Sequence, residues 1–236
     1  MLVQIYEVQT PEEAAALARR GVDHVGVLVG DGVFPRELPV EQAKAIFAAT
    51  PPGTKRVALS LSAEWAEVAR VTRETQPDII QIQAATEDFS VANIRALKAQ
   101  FPEILVMRAI PIIDETSIEI ARSYQGVADF LLLDSYDAGS RQFGALGRTH
   151  DWSLSRRIVN GVSIPAILAG GSAPTTSPRR LLPFGRWASI RRPRPIAPMG
   201  RARTLIKFGV LSPRQRSPGK GSRPELDRAI LLDDAQ

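Results

Sequence analysis

The sequence contains no cysteine and only two histidines among its 236 residues. Disulfides, thiolate metal sites and cysteine nucleophiles are therefore excluded, and two histidines far apart in the chain predict no metal site. No apolar run reaches the roughly 20 residues of a membrane-spanning helix, and the first residues lack the pattern of a signal peptide. Gly30 and Gly32 lack the GxGxxG spacing of a dinucleotide site. We therefore expect a cytoplasmic protein without a cofactor.

Acidic residues are absent from residues 172–224, a stretch that contains 9 of the 18 prolines. Residues 1–171 hold 16 Lys and Arg against 21 Asp and Glu, whereas residues 172–236 hold 14 against 4. The net charge of +5 thus combines a segment of −5 with a segment of +10. The change falls directly after Gly171. It divides the chain into an ordinary globular part and a basic, proline-rich tail that is expected to be poorly ordered.

Seven short apolar segments alternate with amphipathic helical segments before this boundary, at intervals of roughly 25 residues. Strands are predicted at Leu2–Tyr6, His24–Val29, Lys55–Leu61, Ile79–Gln83, Ile104–Ile110, Phe130–Asp134 and Ile164–Leu168. Repeated βα units predict a parallel sheet, and at this length they close into a (β/α)8 TIM barrel more readily than they extend into an open sheet. One strand of the eight is missing. The predicted fold is therefore an incomplete TIM barrel over residues 1–171.

Asp134 is the acidic residue in the most informative position. It follows four consecutive apolar residues, 130–133, which are typical of a strand buried on both faces. Ligands bind at the C-terminal ends of the strands in barrels, so an acid there is a candidate catalytic group, with an ordinary loop aspartate as the alternative. Arg108 and Asp137 could line the same pocket, although a local salt bridge is the favoured role for both.

Several segments of the first 171 residues resemble motifs of one enzyme family. They read GVDHVGVLV…FPRELPVEQA, PDIIQIQ, LLLDS, GALGRTHDW and IPAILAGG. They are similar to GADxxGFVF…SPRxVxxEQA, DxVQLHG, the strand-six aspartate, GGTGxTFDW and LAGG of the phosphoribosylanthranilate isomerases of tryptophan biosynthesis. The resemblance keeps the family's order and spacing. It implies a TIM barrel with aldose–ketose isomerase activity, which is an intramolecular oxidoreduction.

The family reaction is an Amadori rearrangement, in which an aminoaldose phosphate becomes an aminoketose phosphate. It needs an acid that helps to open the ring and protonates the imine, and a base that removes the C2 proton. The resemblance assigns the acid role to Asp134 and the anthranilate carboxylate to Arg36. It assigns substrate or phosphate contacts to Gln81, Gly147, Gly170 and Gly171. The expected partner is a phosphorylated small molecule, and the protein is expected to be a monomer or homodimer.

The chain departs from the family at the catalytic base. The family's opening motif is KICG, whose cysteine is the base, and the matching residues here are Gln4, Ile5, Tyr6 and Glu7. A phenol is a poor base at neutral pH because its unperturbed pKa is about 10. Glu7 is therefore the candidate base, provided that its carboxylate points into the barrel. The histidine of QLHG is Gln83 here, so a barrel relative that acts on another sugar phosphate is an alternative function.

The family's last strand and helix have no counterpart after Gly171. If the codons are read starting from each third base, with permitted synonymous codons, residues 172–180 can give GPDNVAEA. In the same frame, residues 186–191 can give VGVDS and residues 199–209 can give GKSPDLDQVR. The first two match the family's LxPDNVxEAI and GVDxSSG, and the third resembles its closing helix more loosely. These matches predict a shift of the reading frame near Gly171.

A protein made as written should leave the first and seventh strands with an unpaired edge and lack half of the phosphate site. Little or no activity is therefore expected of it. The alternatives for the tail are simple disorder and a nucleic-acid-binding arm on an inactive barrel, and we regard nucleic-acid binding as the weaker interpretation.

Overall fold

The computed structural model describes residues 2–137, 139, 142–144, 150–169 and 205–208. The strands are β1 (Leu2–Ile5), β2 (His24–Leu28), β3 (Lys55–Ser60), β4 (Ile79–Ile82), β5 (Leu105–Ile112), β6 (Phe130–Asp137), β7 (Gln142–Phe143), β8 (Ala166–Leu168) and β9 (Leu205–Phe208). The helices are α1 (Pro11–Arg19), α2 (Val40–Ala48), α3 (Trp65–Thr75), α4 (Val91–Gln100), α5 (Thr116–Ser123) and α6 (Trp152–Gly161). All seven predicted strands are present, as β1 to β6 and β8.

The seven strands form one parallel sheet in chain order. β1 to β6 pair successively in parallel, and β8 adds in parallel to the other side of β6. A helix lies in the chain between each strand of this sheet and the next, as βα units require. The predicted α/β barrel fold, incomplete in its closure, is confirmed.

Strand alternation divides the core into an inner and an outer cluster. On β5, Met107 and Ala109 face inward, whereas Val106 and Ile110 pack outward in the larger cluster that lies between the sheet and its helices. The inner cluster joins Ala169, just after β8, with Tyr6, just after β1. Because these strands belong to opposite sides of the parallel sheet, their contact with one cluster requires the sheet to curl.

Helix α1 begins with a side-chain cap and ends at a glycine. Thr10 is the N-cap of α1, and its side chain accepts a hydrogen bond from the Glu13 backbone N–H at 3.3 Å. Pro11 occupies the first turn, and Gly21, with φ of +77°, follows the helix end. No helix in the described ranges is long and apolar enough to cross a membrane.

Two strands were not predicted. β7 pairs antiparallel with Tyr136 and Asp137, so β6 continues past Asp134 instead of ending there. β9 pairs antiparallel with β1, from Leu2 opposite Phe208 to Ile5 opposite Leu205. The expectation that the outer edge of β1 is unpaired is therefore wrong. An eighth barrel strand would run parallel to β1, so β9 does not have the direction of the strand that a closed barrel needs.

We expect the stability of the chain to depend on the packing between sheet and helices. Ile110 is fully buried on β5, whereas Ile113 is 51% exposed just after it. Ile110→Ala should lower the free energy of unfolding by about 2 to 5 kcal/mol, because the helices relax only partly around the cavity. Ile113→Ala should change it by less than about 0.5 kcal/mol. Equal effects in urea unfolding would contradict this assignment of the core.

Candidate active site

Asp134 lies on the inner face of the curled sheet. Its side chain shares that face with Leu132, two residues earlier on β6, which belongs to the inner cluster. The residue is only 5% exposed. The Ser135 backbone N–H donates to Oδ1 at 2.7 Å, and the Ser135 hydroxyl donates to the same oxygen at 3.3 Å. The carboxyl group is thus buried but held in a defined orientation.

Burial raises the pKa of Asp134 to about 7, although the hydrogen bonds from Ser135 lower it. Burial disfavours the ionised form because the carboxylate loses its hydration. Near neutral pH the group therefore exists in both protonation states. A pKa near the working pH is the property of an efficient general acid or base.

Gly144 covers the carboxyl group of Asp134. Its N–H donates to the Ser135 carbonyl oxygen at 2.8 Å, and its φ is +71°. A Cβ atom at this position would lie 2.4 Å from Asp134 Oδ2 and 2.5 Å from Gln83 Nε2. Only glycine lets the backbone pass this close to both groups.

Gln81 is buried one layer below Gln83 on the same face of β4. Its Oε1 accepts a hydrogen bond from Gln4 Nε2 at 2.9 Å, and its Nε2 donates to Gln83 Oε1 at 3.0 Å. The residue is 2% exposed. Gln81, for which a substrate contact is predicted, therefore lies beneath Gln83 and belongs to a row of hydrogen-bonded side-chain amides.

Glu7 and Arg36, the predicted base and carboxylate-binding residue, bind each other. Arg36 Nε lies 2.8 Å from Glu7 Oε2, and another guanidinium nitrogen donates to the Glu7 carbonyl oxygen at 2.8 Å. Both residues have left-handed backbones, with φ of 58° and 69°. Their side chains are about a quarter exposed, at 22% and 24%. The pair thus joins the loop after β1 to the loop after β2.

Tyr6 packs against the inner cluster, directly after β1. A Cβ atom on Gly26 of β2 would lie 3.0 Å from Tyr6 Cβ, so this glycine makes room for the tyrosine. The residue that matches the family's cysteine therefore faces the barrel interior. Gly147, Gly170 and Gly171 lie outside the described residues.

A family model and several similar sequences point to the same family. The family model described as N-(5'-phosphoribosyl)anthranilate isomerase matches residues 3–178. The enzyme of that name from Methanocella arvoryzae is 36% identical over 173 residues, which are 73% of this chain and 78% of the relative. The Haloferax volcanii enzyme is 32% identical and covers 78% of this chain and 80% of its own length. The chain belongs to the phosphoribosylanthranilate isomerase family.

Solved structures of phosphoribosylanthranilate isomerases share the fold. The Thermotoga maritima crystal structure has a TM-score of 0.64 at 24% identity and covers 77% of this chain and 82% of its own. A further crystal structure, with a TM-score of 0.61 at 22% identity, covers 77% of this chain and 81% of its own. It holds reduced 1-(o-carboxyphenylamino)-1-deoxyribulose 5-phosphate. At these identities the likeness concerns the fold alone.

Glu7 replaces the glycine of the phosphoribosylanthranilate isomerase motif KICG. A left-handed backbone costs a residue with a Cβ atom about 1 to 2 kcal/mol, whereas glycine adopts it freely. The φ of 58° at Glu7 explains why the family uses glycine here. The ion pair with Arg36 offsets part of this cost.

Arg108 has a different role from those considered in the sequence analysis. It is fully buried and faces outward from β5, where it donates to the carbonyl oxygens of Ile82 at 2.9 Å and Ala84 at 2.8 Å. Its guanidinium also lies over the Tyr124 ring, 5.5 Å from the centroid. Burial lowers its pKa. The favoured local salt bridge is therefore wrong, because Arg108 binds backbone carbonyls within the core.

Asp134→Asn should alter the pH dependence of stability. The folded-state pKa of about 7 lies above the ordinary value of 3.8, so between these values the folded state keeps a proton that the unfolded state has released. Wild-type stability should therefore fall as pH rises through this window, by up to about 1.4 kcal/mol per pH unit. The variant should lack this loss.

Urea unfolding at several pH values between about 4 and about 8 measures the difference. The advantage of the Asp134→Asn variant over wild type should grow with pH and level off above about 7. Asp31→Asn is the control, because the Asp31 side chain is 74% exposed. Parallel curves for wild type and Asp134→Asn would show that the buried carboxyl has an ordinary pKa.

Proposed function

We propose that the gene, read in its intact frame, encodes a phosphoribosylanthranilate isomerase in which Asp134 is the general acid. The observation that carries the proposal is the carboxyl group buried on the inner face of the sheet, toward the C-terminal end of its strand, in a chain of this family. Its neutral form can donate its proton to the ring oxygen of the aminoaldose as the ring opens. The nitrogen keeps its own hydrogen in this step, so the product is already a protonated imine. The pKa of about 7 leaves a large neutral fraction at physiological pH.

The second proton transfer removes the C2 hydrogen, and for it we propose Glu7. The Glu7 carboxylate lies 2.8 Å from Arg36, so it must leave the guanidinium before it accepts a proton. A substrate carboxylate that binds Arg36 would displace Glu7 from this pair. Substrate binding and release of the base would then be coupled. Gln81, Gly147, Gly170 and Gly171 complete the proposed substrate and phosphate contacts.

We also propose that residues 172–236 are translated out of frame. The family match ends at residue 178, and the chain covers about four-fifths of the relatives it matches. The net charge also changes near this point, from −5 over residues 1–171 to +10 over residues 172–236. The antiparallel direction of β9 supports this proposal, because a barrel strand would be parallel to β1. On this proposal the natural protein has an eighth βα unit in place of the basic tail.

The nucleotide sequence tests the frame directly. A single-base insertion or deletion near codon 171 should restore segments that resemble PDNVxEAI, GVDxSSG and the closing helix, in this order. The restored reading frame should also recover acidic residues within these segments. If no single-base offset near this codon yields them, the basic tail is a genuine part of the protein.

Growth of a tryptophan auxotroph that lacks this isomerase tests the function. The frame-restored gene should support growth without tryptophan, whereas the chain as written should support little or none. Asp134→Asn in the restored gene should abolish growth and lower kcat by about 100-fold to 10,000-fold, because the proton donor is lost. Asp31→Asn, on the exposed surface, should grow normally.

Two results would contradict the proposal. Absence of growth with abundant soluble frame-restored protein would indicate another substrate. Normal growth of the Asp134→Asn variant would remove the acid role from Asp134 even if the isomerase activity is real.

A further inference from the structure

Gln83 follows β4 at a position where the backbone is fixed from both sides. Its N–H donates to the Ser60 carbonyl oxygen of β3 at 3.0 Å. The Arg108 guanidinium binds the carbonyl oxygens of Ile82 and Ala84, the residues directly before and after it. Because the fully buried Arg108 donates hydrogen bonds to both carbonyls, the backbone of Gln83 has little freedom to move.

The side chain of Gln83 is oriented by a buried row of polar groups. Gln4 Oε1 lies 3.1 Å from His24 Nδ1, and Gln4 Nε2 donates to Gln81 Oε1. Gln81 Nε2 in turn donates to Gln83 Oε1. Each amide accepts through oxygen and donates through nitrogen, so the row has one direction. Because Gln4 Oε1 can only accept, His24 Nδ1 carries the proton.

The row ends on the turn that covers Asp134. Gln83 Nε2 donates to the Phe143 carbonyl oxygen at 3.2 Å. The next residue is Gly144, whose missing Cβ would fall within 2.5 Å of both Gln83 Nε2 and Asp134 Oδ2. The Gln83 amide and the carboxyl group therefore lie on either side of the same glycine. A change in the Gln83 amide should therefore move the turn that shields the Asp134 carboxyl group.

We propose that Gln83 is a positioning residue for Asp134, whose amide, set by the row from His24 through Gln4 and Gln81, holds the Phe143–Gly144 turn over the carboxyl group. The proposal rests on the proposed function, in which Asp134 is the acid. It assigns a role to a residue that replaces the histidine of the family motif. Gln83 needs no contact with substrate to act in this way.

The pKa of Asp134 depends on whether the Phe143–Gly144 turn covers its carboxyl group. Other ionisable side chains face the same interior in the described part of the chain. They are Tyr6 just after β1, His24 on β2 and Tyr136 on β6. The pKa of His24 is lowered to about 4 by burial, so it is neutral near pH 7. The raised pKa of Asp134 is due to burial and not to a neighbouring charge. If the turn opens, water reaches the carboxyl group and its pKa must fall.

The test is the pKa of Asp134 in the full chain, measured from the pH dependence of its carboxyl ¹³C chemical shift. Gln83→Met keeps the length of the side chain but removes the amide, and it should lower the pKa by about one unit or more, a tenfold or greater change in acid dissociation. Gln125→Met is the matched control, because Gln125 accepts from the Ser163 N–H at 2.7 Å beyond α5. It should leave the pKa unchanged.

A folded Gln83→Met variant with the wild-type pKa of Asp134 would overturn the proposal. If this variant does not fold, Gly144→Ala decides, because its Cβ atom would collide with both Asp134 Oδ2 and Gln83 Nε2, so the turn must move off the carboxyl group. An unchanged pKa in that variant would likewise overturn it. The titration uses no substrate. A shifted pKa, together with a frame-restored protein that is soluble but lacks isomerase activity, would therefore refute the proposed function and leave the positioning role standing.

Discussion

The burial of one carboxyl group is the constraint on which the site depends. Asp134 stands on the inner face of a curled sheet, beneath a turn that passes close enough to exclude every residue except glycine at position 144. Burying a charge in such a place is costly, so the group keeps its proton to a higher pH than an exposed aspartate does. The same burial that costs stability as the pH rises toward 7 keeps a large fraction of the carboxyl protonated near neutral pH, as a general acid requires.

The loops around this carboxyl are held by polar contacts with little room for change. A row of amides runs along the barrel interior to the turn over Asp134, and a buried arginine fixes the end of β4 from the opposite side of the sheet. The Glu7–Arg36 pair joins two further loops, at the price of two left-handed backbones. Strain of this kind is found where surrounding structure holds a functional geometry in place.

Much of the fold could be predicted from the sequence, because buried parallel strands are short apolar runs that alternate with amphipathic helical segments. The position of Asp134 followed from the same pattern. β7 and β9 could not be predicted, since two-residue strands and antiparallel pairing over some 200 residues leave no periodic signal.

The role of Arg108 was not predicted from the sequence either. Its place on β5 between the inward-facing Met107 and Ala109 does indicate an outward side chain. Two glutamines at alternate positions, Gln81 on β4 and Gln83 just after it, were the sequence signal for the row of amides on the inner face. The left-handed backbone at Glu7 is visible in sequence only through the glycine that the family has there.

On the proposed function, the mouth of this barrel places Asp134 against the reacting atoms of an anthranilate-linked sugar phosphate. A crystal structure of the frame-restored protein with reduced 1-(o-carboxyphenylamino)-1-deoxyribulose 5-phosphate tests it most directly. We expect the Asp134 carboxyl to lie within about 3 Å of the linking nitrogen or a neighbouring sugar oxygen, with the ligand's carboxylate on Arg36. A ligand bound with its linking nitrogen remote from Asp134 would contradict it.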